Sequence, residues 1–242
     1  MTGTPAAAAG VAPGSGGAAV PTYRGDVPGA ALGWTLTHEH VFVRAPELDA
    51  EYPHPEWDAD AAVAAAVPAL DDLYALGVRT LVDLTVPGLG RDVRLVGRVA
   101  SRTRLYVVAA TGWYTHDALP LALRAAGPGR LVDGPDPLVV TLGMDRFGMT
   151  HTGDDEARFG FLAELLRRGY ASQLVMSQDS ACFSRVTPPS WRRAHAPSWT
   201  VDHLARHVVP RLADAGVDPR DVETMTVHNA RRILAGEGSG GA

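Results

Sequence analysis

The feature that most restricts the fold of this chain is a regular alternation between two hydrophobic periods. "TLTHEHVFV" (35–43), "VRTLVDLTV" (78–86) and "RLYVVAATG" (104–112) are apolar runs of strand length. Between them, "AAVAAAVPALDDLYAL" (61–76) and "DVRLVGRVASR" (92–102) space their apolar residues for a helix face. Asp58 or Asp60 is placed to cap the first helix, Pro68 to kink it and Gly77 to stop it. Strand, helix, strand, helix, strand within about 80 residues demands parallel strands joined by crossover helices, because an antiparallel pair needs only a short turn.

The rhythm resumes further on. "PLVVTLGMDRFG" (137–148) reads as a strand, "DDEARFGFLAELLRRGY" (154–170) as a helix capped at Asp154, and "SQLVMSQD" (172–179) as a strand ending in a carboxylate. "TVDHLARHVVPRLADAG" and "PRDVETMTVHNARRILAG" supply the closing helices. Residues 1–21 are rich in Ala, Gly and Pro and read as a disordered tail, and 237–242 as a flexible one. This leaves a single β/α domain over 22–236. A complete (β/α)8 barrel takes about 250 structured residues, and only about 215 remain.

Charge and composition exclude several classes of function. A net charge of −5, with basic pairs no longer than Arg167-Arg168 and Arg192-Arg193, offers no footprint for nucleic acid. No apolar run reaches the roughly 18 residues of a membrane span. One cysteine, Cys182, cannot form an internal disulfide, which suits the reducing cytoplasm.

In the first strand, His38 and His40 lie two residues apart and share a face with Leu36 and Phe42. Two imidazoles pointing one way are half of a transition-metal site, although the spacing alone is common. Asp179 closes a later strand, and the chemical residues gather at strand carboxyl ends, where α/β folds place their sites. Other candidates are weaker. His203 and His207 are four apart but lack the glutamate of zinc-binding helices, so they read as a polar helix face. His116 and His151 read as solvated loop residues. Cys182 has no neighbouring histidine to activate it. "FSRVTPPSWRRAHAPSW" (183–199) reads as a long loop over the carboxyl face, with Trp191 and Trp199 as walls of a pocket or a shield for the core.

Taken in order, "LGWTLTHEHVFV", "GVRTLVDLTVPGLGRDVRLVGRVA", "VVAATGWYTH", "GMDRFGM", "DDEARFGFLAELLRRGYASQLVMSQDSAC" and "HNARRIL" resemble the phosphotriesterase family of the amidohydrolase superfamily, from about residue 23 to 235. These are metal-dependent hydrolases that include organophosphate hydrolases and lactonases. The resemblance implies a TIM-barrel-like (β/α)8 fold of which strands 1–3 and 7–8 are present. The units that would carry strands 4–6, with a carboxylated lysine and two histidine ligands, have no counterpart at a junction near Val140. All 22 basic residues are arginines, so no lysine can bridge two metals.

In a closed barrel the eighth strand pairs with the first, so Asp179 should sit beside His38 and His40. The resemblance thus implies a site of His38, His40 and Asp179 for about one Zn2+ per chain. Asp179 would double as the catalytic proton acceptor. Trp113, Tyr114 and Arg146 would face the substrate, a phosphoester, lactone or related ester. The alternative is an inactive, internally deleted remnant that serves as a scaffold or folds poorly. Uncovered strand edges around "VVAATG" and "LVVTLGM" imply self-association.

Overall fold

The computed structural model describes residues 18–86, 88–110 and 141–236. It opens with an antiparallel hairpin of β1 (Ala19–Thr22) and β2 (Gly25–Pro28). There follow β3 (Trp34–Val43), α1 (Pro46–Glu51), α2 (Ala59–Ala75), β4 (Val78–Asp83), α3 (Val93–Ala100) and β5 (Tyr106–Ala109). Beyond residue 140 come β6 (Leu142–Met144), α4 (Asp155–Arg167), β7 (Leu174–Met176), β8 (Ala181–Ser184) and α5 (Pro189–His195). The chain closes with α6 (Val209–Asp214), α7 (Pro219–Glu223) and α8 (Asn229–Ala235). A π-helical turn at Leu204–Val208 leads into α6, and another at Thr224–His228 joins α7 to α8.

The expected caps form at two helices, where Asp58 accepts the Ala61 N–H at 2.8 Å and Asp154 that of Glu156 at 3.2 Å, and Asp92 adds a third by accepting the Leu95 N–H at 2.9 Å. Each satisfies a donor that the first helical turn leaves open. Pro68 lies inside α2, which runs through it.

Strands β5, β4, β3 and β8 form one parallel sheet in that order, and β6 pairs parallel with β7. The strand that the sequence extends to Asp179 stops at Met176, and across the joint Ser177–Ser180 a second short strand, β8, continues its line. The first half pairs outward to β6 and the second inward to β3. The joint itself is bonded on both sides: Ser177 N–H donates to Met144 O at 3.0 Å, Asp179 N–H to His38 O at 3.0 Å, and His40 N–H to Ser180 O at 2.8 Å. The spatial run β6, β7/β8, β3, β4, β5 is therefore continuous, as strands 7-8-1-2-3 of an incomplete barrel would be.

Helices α2 and α3 cover the sheet through Val63, Leu70, Leu73, Leu95 and Val99, which pack with Leu36, Leu81 and Val107 in the main core. A second cluster joins Val20 and Val27 of the hairpin to Val82, Val108 and Ala235. At about 25 cal/mol per Å² of apolar area buried, this packing is the main source of stability.

Three expectations need correction. The N-terminal tail does not reach residue 21, because Ala19–Thr22 pairs with β2 and buries Val20. The stretch 183–199 is not one long loop but contains part of β8 and all of α5. Finally, Leu36 and Phe42 do not share the face of the two histidines. A register shift between Leu36 and Glu39 puts an extra residue in β3, which breaks the two-residue alternation between Leu36 and the histidines. Leu36 joins the helix-facing core, and Phe42 packs edge-on against Trp57 at 5.5 Å. Among the described residues no helix is long and apolar enough to cross a membrane.

Candidate metal centre

His38 and His40 project from the end of β3 toward the joint between β7 and β8. Their Nε2 atoms lie 3.4 and 3.3 Å from the same oxygen, Asp179 Oδ1. One ligand atom from each of the three residues falls within 4.8 Å of the others, close enough to share a single ion. The other nitrogen of each ring is held from behind. His38 Nδ1 is 2.8 Å from Asp145 Oδ2, and His40 Nδ1 is 3.0 Å from Thr85 Oγ1. An Nδ1–H donated to those oxygens leaves the Nε2 lone pairs free for a metal, the arrangement that ligating histidines use. The donor set present fits a zinc-like ion.

The backbone beneath is fixed by a residue whose importance the sequence reading missed. Glu39, between the histidines, has no exposed surface. It accepts hydrogen bonds from Ser177 Oγ at 2.7 Å, Gln178 N at 2.9 Å and Ser180 N at 2.8 Å. Burial pushes its carboxyl up to about 8, although those three donors pull the other way. Asp83 does similar work on the other flank, accepting from Thr85 N at 3.1 Å and Val41 N at 3.4 Å. The legible signal was an acid between two histidines in a buried strand.

Asp179 itself adopts φ +53° and Arg146 φ +66°, a left-handed backbone uncommon for side-chain-bearing residues. Such strain persists where neighbouring contacts over-determine it, and functional sites are where it concentrates. Burial alone would lower the His38 imidazole, but the Asp145 hydrogen bond and the charges of Asp179 and Asp145 hold it above its ordinary value. Asp145 answers in kind: burial would raise it, and His38 and Arg146 keep it below the usual carboxylate range.

The cluster opens into a cavity of about 480 Å³ whose apolar wall includes Val43, Leu84, Val86, Leu89, Met149 and Trp199. Arg146 lines it as well, with Nε 3.6 Å from Asp179 Oδ2. Thus His38, His40, Asp179 and Arg146 come together. Trp113, Tyr114 and His116 lie outside the described residues. His151 packs edge-on against Trp191 at 5.0 Å and tilted against Trp199 at 5.3 Å, and is not part of the ligand cluster. Burial pushes the Cys182 thiol up to about 12, which disfavours the thiolate. His203 is not part of a solvated face: it is 8% exposed and faces Asp155.

Comparison with known proteins agrees with this fold. The family model for the phosphotriesterase family matches residues 18–134 and 137–234. The phosphotriesterase homology protein of Mycobacterium tuberculosis (strain H37Rv) is 28% identical over 318 aligned residues, covering 90% of this chain and 98% of the relative. Since that alignment is longer than the 242-residue chain, part of the relative has no counterpart here. Aryldialkylphosphatase of Saccharolobus solfataricus is 38% identical over 89 residues, 37% of this chain and 28% of that protein. Among solved structures, the phosphotriesterase from Mycobacterium tuberculosis superposes with a TM-score of 0.78 at 27% identity, over 89% of this chain and 98% of that one. The organophosphorus hydrolase from Deinococcus radiodurans, 21% identical, shares the fold with a TM-score of 0.74 over 94% and 100% of the two chains.

Proposed function

The chain belongs to the phosphotriesterase family, whose members are hydrolases, and on that premise we propose that it is a zinc-dependent hydrolase of a phosphoester, lactone or related ester. The observation that carries this reading is the convergence of His38 Nε2 and His40 Nε2 on Asp179 Oδ1 at the wall of a cavity. These three residues would hold about one ion per chain, since three protein ligands leave one tetrahedral position open. A chain without lysine cannot supply a bridging carbamate for a second. The ion, when bound, supplies Lewis-acid polarisation of a phosphoryl or carbonyl oxygen and acidifies water.

The chain's own groups supply the rest. Asp179 Oδ2, on the far side of the carboxylate from the imidazoles, takes the proton released by the attacking water. Arg146 offers a fork of N–H donors to a substrate oxygen, from a position fixed by Asp145 and Asp179. The apolar wall receives the non-reacting part of the ester and thins the water around the reacting bond. Trp113 and Tyr114 are assigned to the substrate side on family resemblance. A chain whose only cysteine is Cys182 suits the cytoplasm.

The test is metal analysis after gel filtration, together with hydrolysis of an activated lactone and an activated phosphotriester with and without added zinc. Expected are about one zinc per chain and zinc-dependent turnover, both lost in His38→Ala and in Asp179→Ala. A wild type that carries no metal, and gains no rate over His38→Ala when zinc is added, overturns the hydrolase reading. A folded protein with that outcome would instead be a non-catalytic relative acting as a scaffold.

A further inference from the structure

The two loops that bring carboxylates to the centre are both held by one segment, Ser198–Leu204, whose histidine the metal cluster does not use. On one side, Trp199 Nε1 donates to Gln178 O at 2.9 Å, and Gln178 Oε1 accepts the Leu204 N–H at 2.7 Å, next to Asp179. On the other, His203 Nε2 lies 3.3 Å from Asp155 Oδ2. That same oxygen accepts the Gly148 N–H at 2.8 Å, while Oδ1 takes Arg158 Nη1 at 2.8 Å.

Gly148 belongs to the turn that carries Asp145 and Arg146. The turn is closed by the Met149 N–H donating to Arg146 O at 3.0 Å, and Phe147 anchors it in the core. Gly148 has φ +82°, and a methyl group there would meet Ser198 O at 2.6 Å and His203 Cγ at 3.1 Å. The turn is thus pressed against the His203 segment with no slack. His203 Nδ1 is buried with no hydrogen-bond partner, so the Asp155 contact is the imidazole's polar link in the structure. An apolar side chain would fill the same space without an orphaned nitrogen, which costs stability.

We propose that Asp155 and His203 are positioning residues, a clasp that sets the Asp145–Met149 turn so that Asp145 orients His38 and Arg146 faces Asp179. The inference rests on the metal-hydrolase reading above. His203 touches neither the ligand cluster nor the cavity, and it acts on metal binding through Gly148 and then Asp145.

The experiment measures zinc affinity of the full chain by chelator competition for wild type, His203→Leu and His203→Gln, each also combined with Asp145→Ala. Amide exchange of Gly148 is followed in the same metal-free proteins. His203→Leu is expected to weaken zinc binding about tenfold, in the range for residues that orient ligands, and to speed Gly148 exchange. His203→Gln, which keeps an N–H donor toward Asp155, should restore both. With Asp145→Ala in place, His203→Leu should have no further effect on zinc. Equal weakening in both backgrounds, unchanged affinity in a folded His203→Leu, or no rescue by glutamine overturns the clasp. A wild type that takes up no zinc overturns the hydrolase reading instead. The exchange arm then judges the clasp alone, and unchanged Gly148 exchange in His203→Leu overturns it too.

Discussion

At the scale of single residues, stability and function meet at Glu39. Its buried carboxyl group is the acceptor for three donors, so Glu39→Ala leaves them unpaired. The expected loss is about 2–4 kcal/mol in urea unfolding of the metal-free protein, with loss of zinc retention because Asp179 sits on the loop that Glu39 holds. Normal stability in Glu39→Ala would mean the loop has another anchor. His203 gives a pH signature. Burial is the chief reason its imidazole lies below the ordinary value, with the His207 charge adding to it and Asp155 and Asp202 opposing. In the unfolded chain it protonates near about 6.5, so below that pH the unfolded state binds the extra proton and stability falls as pH drops. Unfolding free energies of metal-free protein measured across that range should slope less steeply in His203→Leu; an unchanged slope would place the titration elsewhere. These residues differ in how legible they were. His38 and His40 announce themselves by type and spacing. Glu39 was passed over because a period-2 strand should point it away from them, whereas the register shift and the bend after β7 bring three donors to it. Asp145 and Thr85 pair with histidines 107 and 45 residues away in sequence, a distance no local pattern encodes.

At the scale of elements, the site depends on a break in one strand. The helices and parallel strands were readable from apolar periodicity and from Asp58 and Asp154 as caps. The division of "SQLVMSQD" and the next residues into β7, a joint and β8 was not, because Ala181–Ser184 gains its strand character from pairing with β3 rather than from its own pattern. The joint turns the Asp179 side chain toward the histidines by taking a left-handed backbone, which Asp and Asn tolerate better than most residues. Asp179→Asn should therefore fold with nearly unchanged thermal stability in the absence of metal, yet bind zinc far more weakly for want of an anionic oxygen. Because the ligands lie on β3 and on the joint, zinc should also bolt the two together. At a hundredfold excess over its dissociation constant it adds about 2.7 kcal/mol to wild type, visible as a rise in melting temperature. Asp179→Asn should show no such rise, and a shift equal to wild type would remove Asp179 from the ligand set.

At the scale of the whole molecule, the run from β6 to β5 leaves the question of what covers its two ends. One end is partly answered by the N-terminal hairpin. Tyr23 N–H donates to Val107 O at 3.0 Å, and Val20 and Val27 pack with Val108, so that Val107 and Val108 are buried. Around Val107 and Val108 the segment "VVAATG" is therefore covered by a hairpin strand that the composition of the tail concealed, while Ala109 stays exposed. The other end is different. Among the described residues β6 pairs only with β7, and its Leu142-Gly143-Met144 stretch has no charge to discourage a neighbour. Leu142 is 42% exposed, and Phe161 on the following helix is 55% exposed. A strand edge that is uncharged, unpaired among the described residues and carries an exposed leucine is the kind of surface that a second chain covers. Self-association is therefore expected at micromolar concentration in sedimentation velocity, and Leu142→Arg combined with Phe161→Glu should shift the protein toward monomer. The metal centre faces the cavity rather than this edge, so the double variant should keep the zinc content of wild type. A wild type that sediments as a single monomeric species across the concentration range would show that this edge is closed by the chain itself, and the double variant would then lose stability instead of losing a partner.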